Sequence, residues 1–154
     1  MLYLDSSAIV KFYFKEAGSE AMIAKAKAGD QAVGASVLSF AEVHLAMARK
    51  YREGQISSAE LVRLRERFGN DWSLLEVLDL NTQMMAALPK LVEQFPLKAA
   101  DAVQLSTALW LKNNLESELE AGSSEVLEFA SADQILIGTA RKCGLQVFNP
   151  EEEI

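Results

Sequence analysis

A central parallel sheet covered by helices on both faces is the fold this sequence predicts, on three observations. Strand-like apolar runs alternate along the chain with stretches of helical spacing, the order of successive β–α–β units with right-handed crossovers. Four acids, Asp5, Glu42, Asp101 and Asp133, each fall where a strand-like run gives way to a helix-like one. No repeat, low-complexity tract or linker divides the 154 residues, half of them hydrophobic, so one core and one domain spanning 1–154 are expected.

In chain order, residues 2–5 read as a strand and 7–14 as a short helix ended near Gly18. Residues 19–26 are helix-rich and stop at Gly29, a C-terminal cap. Residues 32–35 form a second strand. In 39–51, Phe40, Val43, Ala46, Met47 and Ala48 recur near helical spacing, and Gly54 ends that helix. Ser57 or Ser58 caps the next helix, which runs to about Phe68 before Gly69. Residues 74–80 read as a third strand, and 81–94 as a helix that Pro89 must break or kink. Residues 99–113 form a helix so apolar that it must be largely buried. The stretch 114–125 is the least regular, with Gly122, Ser123 and Ser124 as its loop. Residues 126–130 and 145–148 are the last strands, around a helix over 132–142.

Cys143 is alone, which excludes an internal disulfide and fits a reducing compartment. No apolar run approaches the roughly 18 residues of a membrane span, and residues 1–5 lack the basic and apolar regions of a signal peptide. A soluble, cytoplasmic protein without a membrane association is expected. The net charge is −7, with 22 acids against 15 bases, so a strong overall pull on nucleic acid is not expected. The bases are uneven, however: Arg49, Lys50, Arg52, Arg63, Arg65 and Arg67 fall close together. They read either as a solvated helix face or as a basic wall beside an acidic site.

In open parallel sheets ligands gather at the carboxyl ends of the strands, so acids far apart in sequence can converge there and hold Mg²⁺ or Mn²⁺. Each acid alone also has a structural explanation. Asp5 and Asp101 could be helix caps, with Gln104 as the reciprocal partner of Asp101. Ser39 and Glu42 have capping-box spacing, and Asp133 suits the first turn of a helix. His44, two residues past Glu42, points about 200° around the helix from it. With one histidine, no Ser-His-Asp or Cys-His catalyst can be assembled. Trp72 and Trp110 are read as core residues ahead of base-stacking platforms. No phosphate-binding glycine loop or zinc-spaced Cys/His set occurs.

Taken together, five segments resemble the PIN-domain family, specifically toxins of the VapC type: residues 1–11 (MLYLDSSAIVK), 36–43 (SVLSFAEV), 97–106 (LKAADAVQLS), 129–136 (FASADQIL) and 144–150 (GLQVFNP). The resemblance implies a PIN-like three-layer α/β/α sandwich and a Mg²⁺-dependent endoribonuclease, Mn²⁺ serving as alternative, with RNA as substrate. It also implies a small cognate antitoxin encoded beside it, and a homodimer. Carried over residue by residue, the acidic metal site falls on Asp5, Glu42, Asp101 and Asp133, with the following hydroxyl at Ser6 or Ser7. Asp5 and Asp101 are expected as principal ligands, Glu42 and Asp133 as outer or second-ion ligands, and Ser7 as an orienter of water or phosphate. Ser131 stands where the family often has Thr. Antitoxin segments are expected against residues 39–51 and 57–68, where Leu45, Ala48, Tyr51, Leu61 and Leu64 either line a groove or pack inward. Two rival readings are an aspartyl-phosphate phosphatase, disfavoured because Ser7 stands where a second Asp is needed, and a PIN-fold interaction module with little turnover.

Overall fold

The structure, a computed structural model, describes residues 1–28, 31–120 and 126–152. Its strands are β1 (Leu2–Leu4), β2 (Val33–Ser36), β3 (Glu76–Leu78), β4 (Glu128–Ala130) and β5 (Gln146–Phe148), in the order β3-β2-β1-β4-β5. All four pairings are parallel. The helices are α1 (Ser6–Val10), α2 (Ser19–Lys27), α3 (Val37–Arg52), α4 (Ser58–Trp72), α5 (Leu88–Gln94), α6 (Ala99–Glu120) and α7 (Gln134–Lys142).

The connection order decides the layers. From β1 to β2 to β3 the chain moves one way across the sheet, and from β3 to β4 to β5 it jumps back over β1 and continues the other way. Right-handed crossovers therefore place α1 to α4 on one face and α5 to α7 on the other. The two apolar clusters divide in that way. Leu2, Leu4, Ala35 and Ala130 pack with Ile9, Met22, Val43, Met47, Leu61 and Phe68. Tyr3 and Phe129 point to the opposite face and pack with Leu91, Leu105, Ala108, Leu136 and Ala140. The expected α/β/α sandwich is the fold observed.

Several local expectations are corrected. The N-cap of α3 is Ser36, whose hydroxyl accepts from Leu38 N–H at 3.2 Å, and Ser39 is buried inside the helix. The helix expected over 7–14 stops at Val10, because Lys11 turns inward. Its side chain is 2% exposed, and the ammonium donates to the Ala17 carbonyl at 2.6 Å and the Glu151 carboxylate at 2.8 Å, tying a turn and a distant segment to α1. The helix capped by Ser57 continues through Gly69 to Trp72, anchored by Phe68 and Trp72 in one aromatic cluster. The break expected at Pro89 is present: a 3₁₀ turn over Met84–Ala87 ends there and α5 begins, the proline ring suiting its first turn. Residues 114–120, expected as irregular, extend α6, with Leu115 buried in the core. The loop expected at 122–124 and the cap at Gly29 lie outside the described residues.

Gly18 sits at φ +77°, and a Cβ there would meet the Pro150 backbone at 2.8 Å. Gly54 is equally left-handed at φ +71° but faces open space. Gly54→Ala should therefore cost about 1 kcal/mol from backbone strain alone, and Gly18→Ala at least about 2 kcal/mol. Parallel urea melts of the two variants check the difference.

Candidate active site

The jump from β3 to β4 makes the carboxyl ends of β1 and β4 the switch point of the sheet, the crevice where ligands of open α/β folds bind. Asp5 stands there, directly after β1 and 3% exposed. It caps α1, its carboxylate accepting from the backbone N–H groups of Ser7 and Ala8. The Ser131 hydroxyl, one residue beyond β4, donates to the same carboxylate at 2.6 Å and itself accepts from Asp133 N–H at 3.1 Å. Ser7 Oγ in turn accepts from Ala132 N–H at 2.8 Å and lies 3.4 Å from Ser131 Oγ. The two strand ends are thus cross-linked by side chains reaching into each other's turns. Burial pushes the Asp5 carboxyl up to about 6, against the pull of these hydrogen bonds.

Asp133 caps α7, accepting from Leu136 N–H at 2.9 Å. Asp101 lies in the first turn of α6. Its carboxyl is raised by burial and then by the charge of Asp133, with Lys98 pulling the other way. Asp101 is therefore near enough to Asp133, on another helix, to feel its charge, and Asp133 is joined to buried Asp5 through Ser131.

Glu42 arrives separately, on the second turn of α3, and shares a cleft with Ser6. It is held by Gln104, and here the sequence expectation was wrong: Gln104 does not reach back to Asp101. Its Nε2 donates at 2.8 Å to Glu42 and at 2.8 Å to Ser39, and its Oε1 accepts from the Tyr3 hydroxyl at 2.9 Å. Ser39 is likewise no cap, being the second acceptor of this amide. Burial, reinforced by the charge of Asp5, keeps the Tyr3 hydroxyl protonated and donating. Gln104 is 2% exposed with both amide protons and its oxygen engaged. The available signal was a lone amide in the apolar run 102–111, and capping-box spacing masked it.

The remaining candidates fall away from these acids. His44 stacks edge-on against Phe40 and Phe68, and burial and then Arg65 lower its pKa. Trp72 and Trp110 pack against the core as expected.

Among the described residues no three His, Cys, Asp or Glu side chains form a ready-made metal cage. The donors are all oxygens, and Mg²⁺ is commonly held by only one or two carboxylates, keeping several waters and taking substrate phosphate. Asp5 and the neighbouring carboxylates of Asp101 and Asp133 supply donors of the kind such an ion takes.

A family model described as PIN domain matches residues 2–116. Ribonuclease VapC45 and Ribonuclease VapC49, both of Mycobacterium tuberculosis, are each 29% identical over 109 residues, covering 71% of this chain and 75% of theirs. The crystal structure of FitAcB from Neisseria gonorrhoeae superposes with a TM-score of 0.70 at 20% identity, over 97% of this chain and 98% of that one. VapBC2 from Rickettsia felis, bound to a promoter DNA fragment, gives 0.65 at 15% identity over 97% and 98%. Among the described residues no helix is long and apolar enough to cross a membrane.

Two outcomes are expected from this geometry. With the Asp5 carboxyl raised from 3.8 to about 6, the folded state binds more protons than the unfolded between those values. Stability should fall as pH rises through that window and level off above it, by about 3 kcal/mol relative to Asp5→Asn; thermal melts of both chains in chelator from pH 4 to 8 measure it. Tyr3→Phe and Gln104→Leu each leave a buried partner unsatisfied, at about 1–3 kcal/mol apiece, so the double variant should lose about 1 kcal/mol less than their sum. A denaturant double-mutant cycle reads that coupling.

Proposed function

The chain belongs to the PIN domain family, and from that premise we propose that it is a metal-dependent endoribonuclease, the toxin of a toxin–antitoxin pair, acting as one domain over residues 1–154. The observation that carries this reading is buried Asp5 at the switch point of the sheet, joined through Ser131 to the turn of Asp133, whose charge Asp101 feels. The relatives named ribonucleases support the reaction. Support for a single unit comes from the sheet: β4, beyond the family-matched segment, pairs directly with β1.

Asp5 and Asp101 would be the principal holders of Mg²⁺ or Mn²⁺, with Asp133 and Glu42 as outer or second-ion ligands. When bound, such an ion would supply a water of lowered pKa and offset charge on the scissile phosphate. The chain's own groups prepare the surroundings. The amides of Ser7 and Ala8 and the Ser131 hydroxyl fix the Asp5 carboxylate, and Gln104 fixes Glu42. Ser7 Oγ accepts from Ala132 N–H and lies against Asp5 and Ser131, and from that position it would orient a phosphate oxygen or the attacking water. In-line hydrolysis leaves a 5′-phosphate and a 3′-hydroxyl.

The partner is a small antitoxin, a reading supported by neighbours that are toxin–antitoxin complexes. Of the residues expected to meet it, Leu45 and Tyr51 are exposed and available, whereas Leu61 is buried. A second copy of the chain is the other partner.

Purified chain should cleave bacterial total RNA with Mg²⁺ or Mn²⁺ and not in EDTA. Asp5→Asn and Asp101→Asn should each lose more than the roughly 10–100-fold that a missing supporting hydrogen bond costs a metal site. Gel-resolved cleavage and mapped RNA ends measure this, and cleavage that persists in chelator or in either variant would sink the reading.

A further inference from the structure

The basic residues of this acidic chain are not equivalent in the structure. Lys11 is buried against Glu151, Arg67 pairs with Asp71 at 3.5 Å and lies over Tyr13, Arg141 pairs with Glu152 at 2.7 Å, and Lys50 sits over Phe14. Arg49 and Arg52 have no such partner among the described residues, and both are exposed. They line a cleft of about 320 Å³ whose other walls are Ser6, Glu42, Leu45 and Ala46. The spacing 42, 45, 49, 52 is one stripe of α3, so Arg49 and Arg52 stand about 10 and 15 Å along the helix from Glu42. Midway, Leu45 is 64% exposed. The cleft ends at Ser6 and Glu42, beside the carboxylates.

We propose that this stripe of α3 is the docking track for single-stranded RNA next to the cleaved bond, with Arg49 and Arg52 holding backbone phosphates and Leu45 carrying a base or ribose between them and Glu42. This rests on the ribonuclease reading and deepens it. The physical need is direct. A chain of net charge −7 with acids at its reaction centre repels a polyanion, and unpaired guanidiniums opening onto that centre offset the repulsion where the strand must pass. Guanidinium pairs with phosphate in bidentate geometry, and an aliphatic surface accepts any base, so the track gives affinity and register with little sequence preference. An acidic partner segment lying on the same stripe is the competing occupant.

The test uses the full chain without any partner protein, with a fluorescent 12-nucleotide oligouridylate as binding probe in Asp101→Asn background and total bacterial RNA as cleavage substrate. At about 0.7 per phosphate contact for a single strand, Arg49→Ala/Arg52→Ala should reduce the slope of log affinity against log salt by about 1.4. The affinity ratio of parent to variant should then narrow about sevenfold between 50 and 200 mM salt. In cleavage, KM should rise with kcat little changed. The melting temperature and its increase with Mg²⁺ should stay at parental values, and Arg49→Lys/Arg52→Lys should recover most of the slope. Arg63→Ala/Arg65→Ala, an equal charge loss on α4 outside the cleft, should leave slope and KM unchanged. Equal losses from both arginine pairs, parental RNA binding by the Arg49/Arg52 variant, or a parent chain that binds the probe without salt dependence would each overturn the track. So would a defect confined to capture of a partner protein. Failure of the parent chain to cleave RNA at all would instead overturn the ribonuclease reading itself.

Discussion

The carboxylate of Asp5 is the group on which the ends of β1 and β4 depend. A nearly buried charge is unfavourable unless donors replace the water it has lost, and two backbone amides and the Ser131 hydroxyl do so. The same bonds define α1, which at five residues has too few internal hydrogen bonds to persist alone. Ser131 serves both turns, donating to Asp5 and accepting from Asp133. An exposed cap would give its helix equal help without the desolvation that raises the Asp5 carboxyl. Burial of this cap and the repulsion felt by Asp101 are destabilising features that packing has to offset. They gather at one place, the switch point of the sheet.

A second polar element crosses the core a few residues away. The amide of Gln104 links the middle of β1 to the start of α3 through Tyr3, Ser39 and Glu42, using every donor and acceptor it has at that site. Fully satisfied buried networks of this kind resist rotation of their members, so Glu42 is oriented from below by the core and not from solvent. The two networks have opposite manners of holding an acid: Asp5 is fixed by receiving backbone protons, Glu42 by receiving one amide proton that is itself anchored in the sheet.

Much of this was legible in the sequence. Strand and helix order followed from apolar runs punctuated at Gly18, Gly54 and Pro89, because burial on two faces leaves a pattern that neighbours in sequence carry. The places of Asp5 and Asp133 were legible because strand ends are local features, whereas Asp101 was expected after a strand and lies in α6, which follows α5. What escaped was long-range. Ser39 and Gln104 satisfy a local capping rule in spacing, yet their true partners lie 65 residues apart, and no window of sequence contains both. The end of α6 was missed for a similar reason: the mostly polar residues from 114 onward read as irregular, while Leu115, docking on a core assembled from other segments, holds the helix there. The division of the basic cluster into paired and unpaired members was equally invisible, since Arg67 and Arg49 differ only in what folds beside them.

The bond between Ser131 and Asp5 spans 126 positions of the chain. Neighbouring β1 and β2 can pair once residues 1–36 exist, but β4 closes the other side of β1 only after the whole of α6 has been made. Until then Asp5 lacks the Ser131 hydroxyl and Asp101 the charge of Asp133. The turns of Asp5, Asp101 and Asp133 come into register only once β4 has paired with β1, so a growing chain carries the parts of its centre before it carries the centre. Topology itself thus orders the events, folding of the β1–β2 half first and assembly of the carboxylates second.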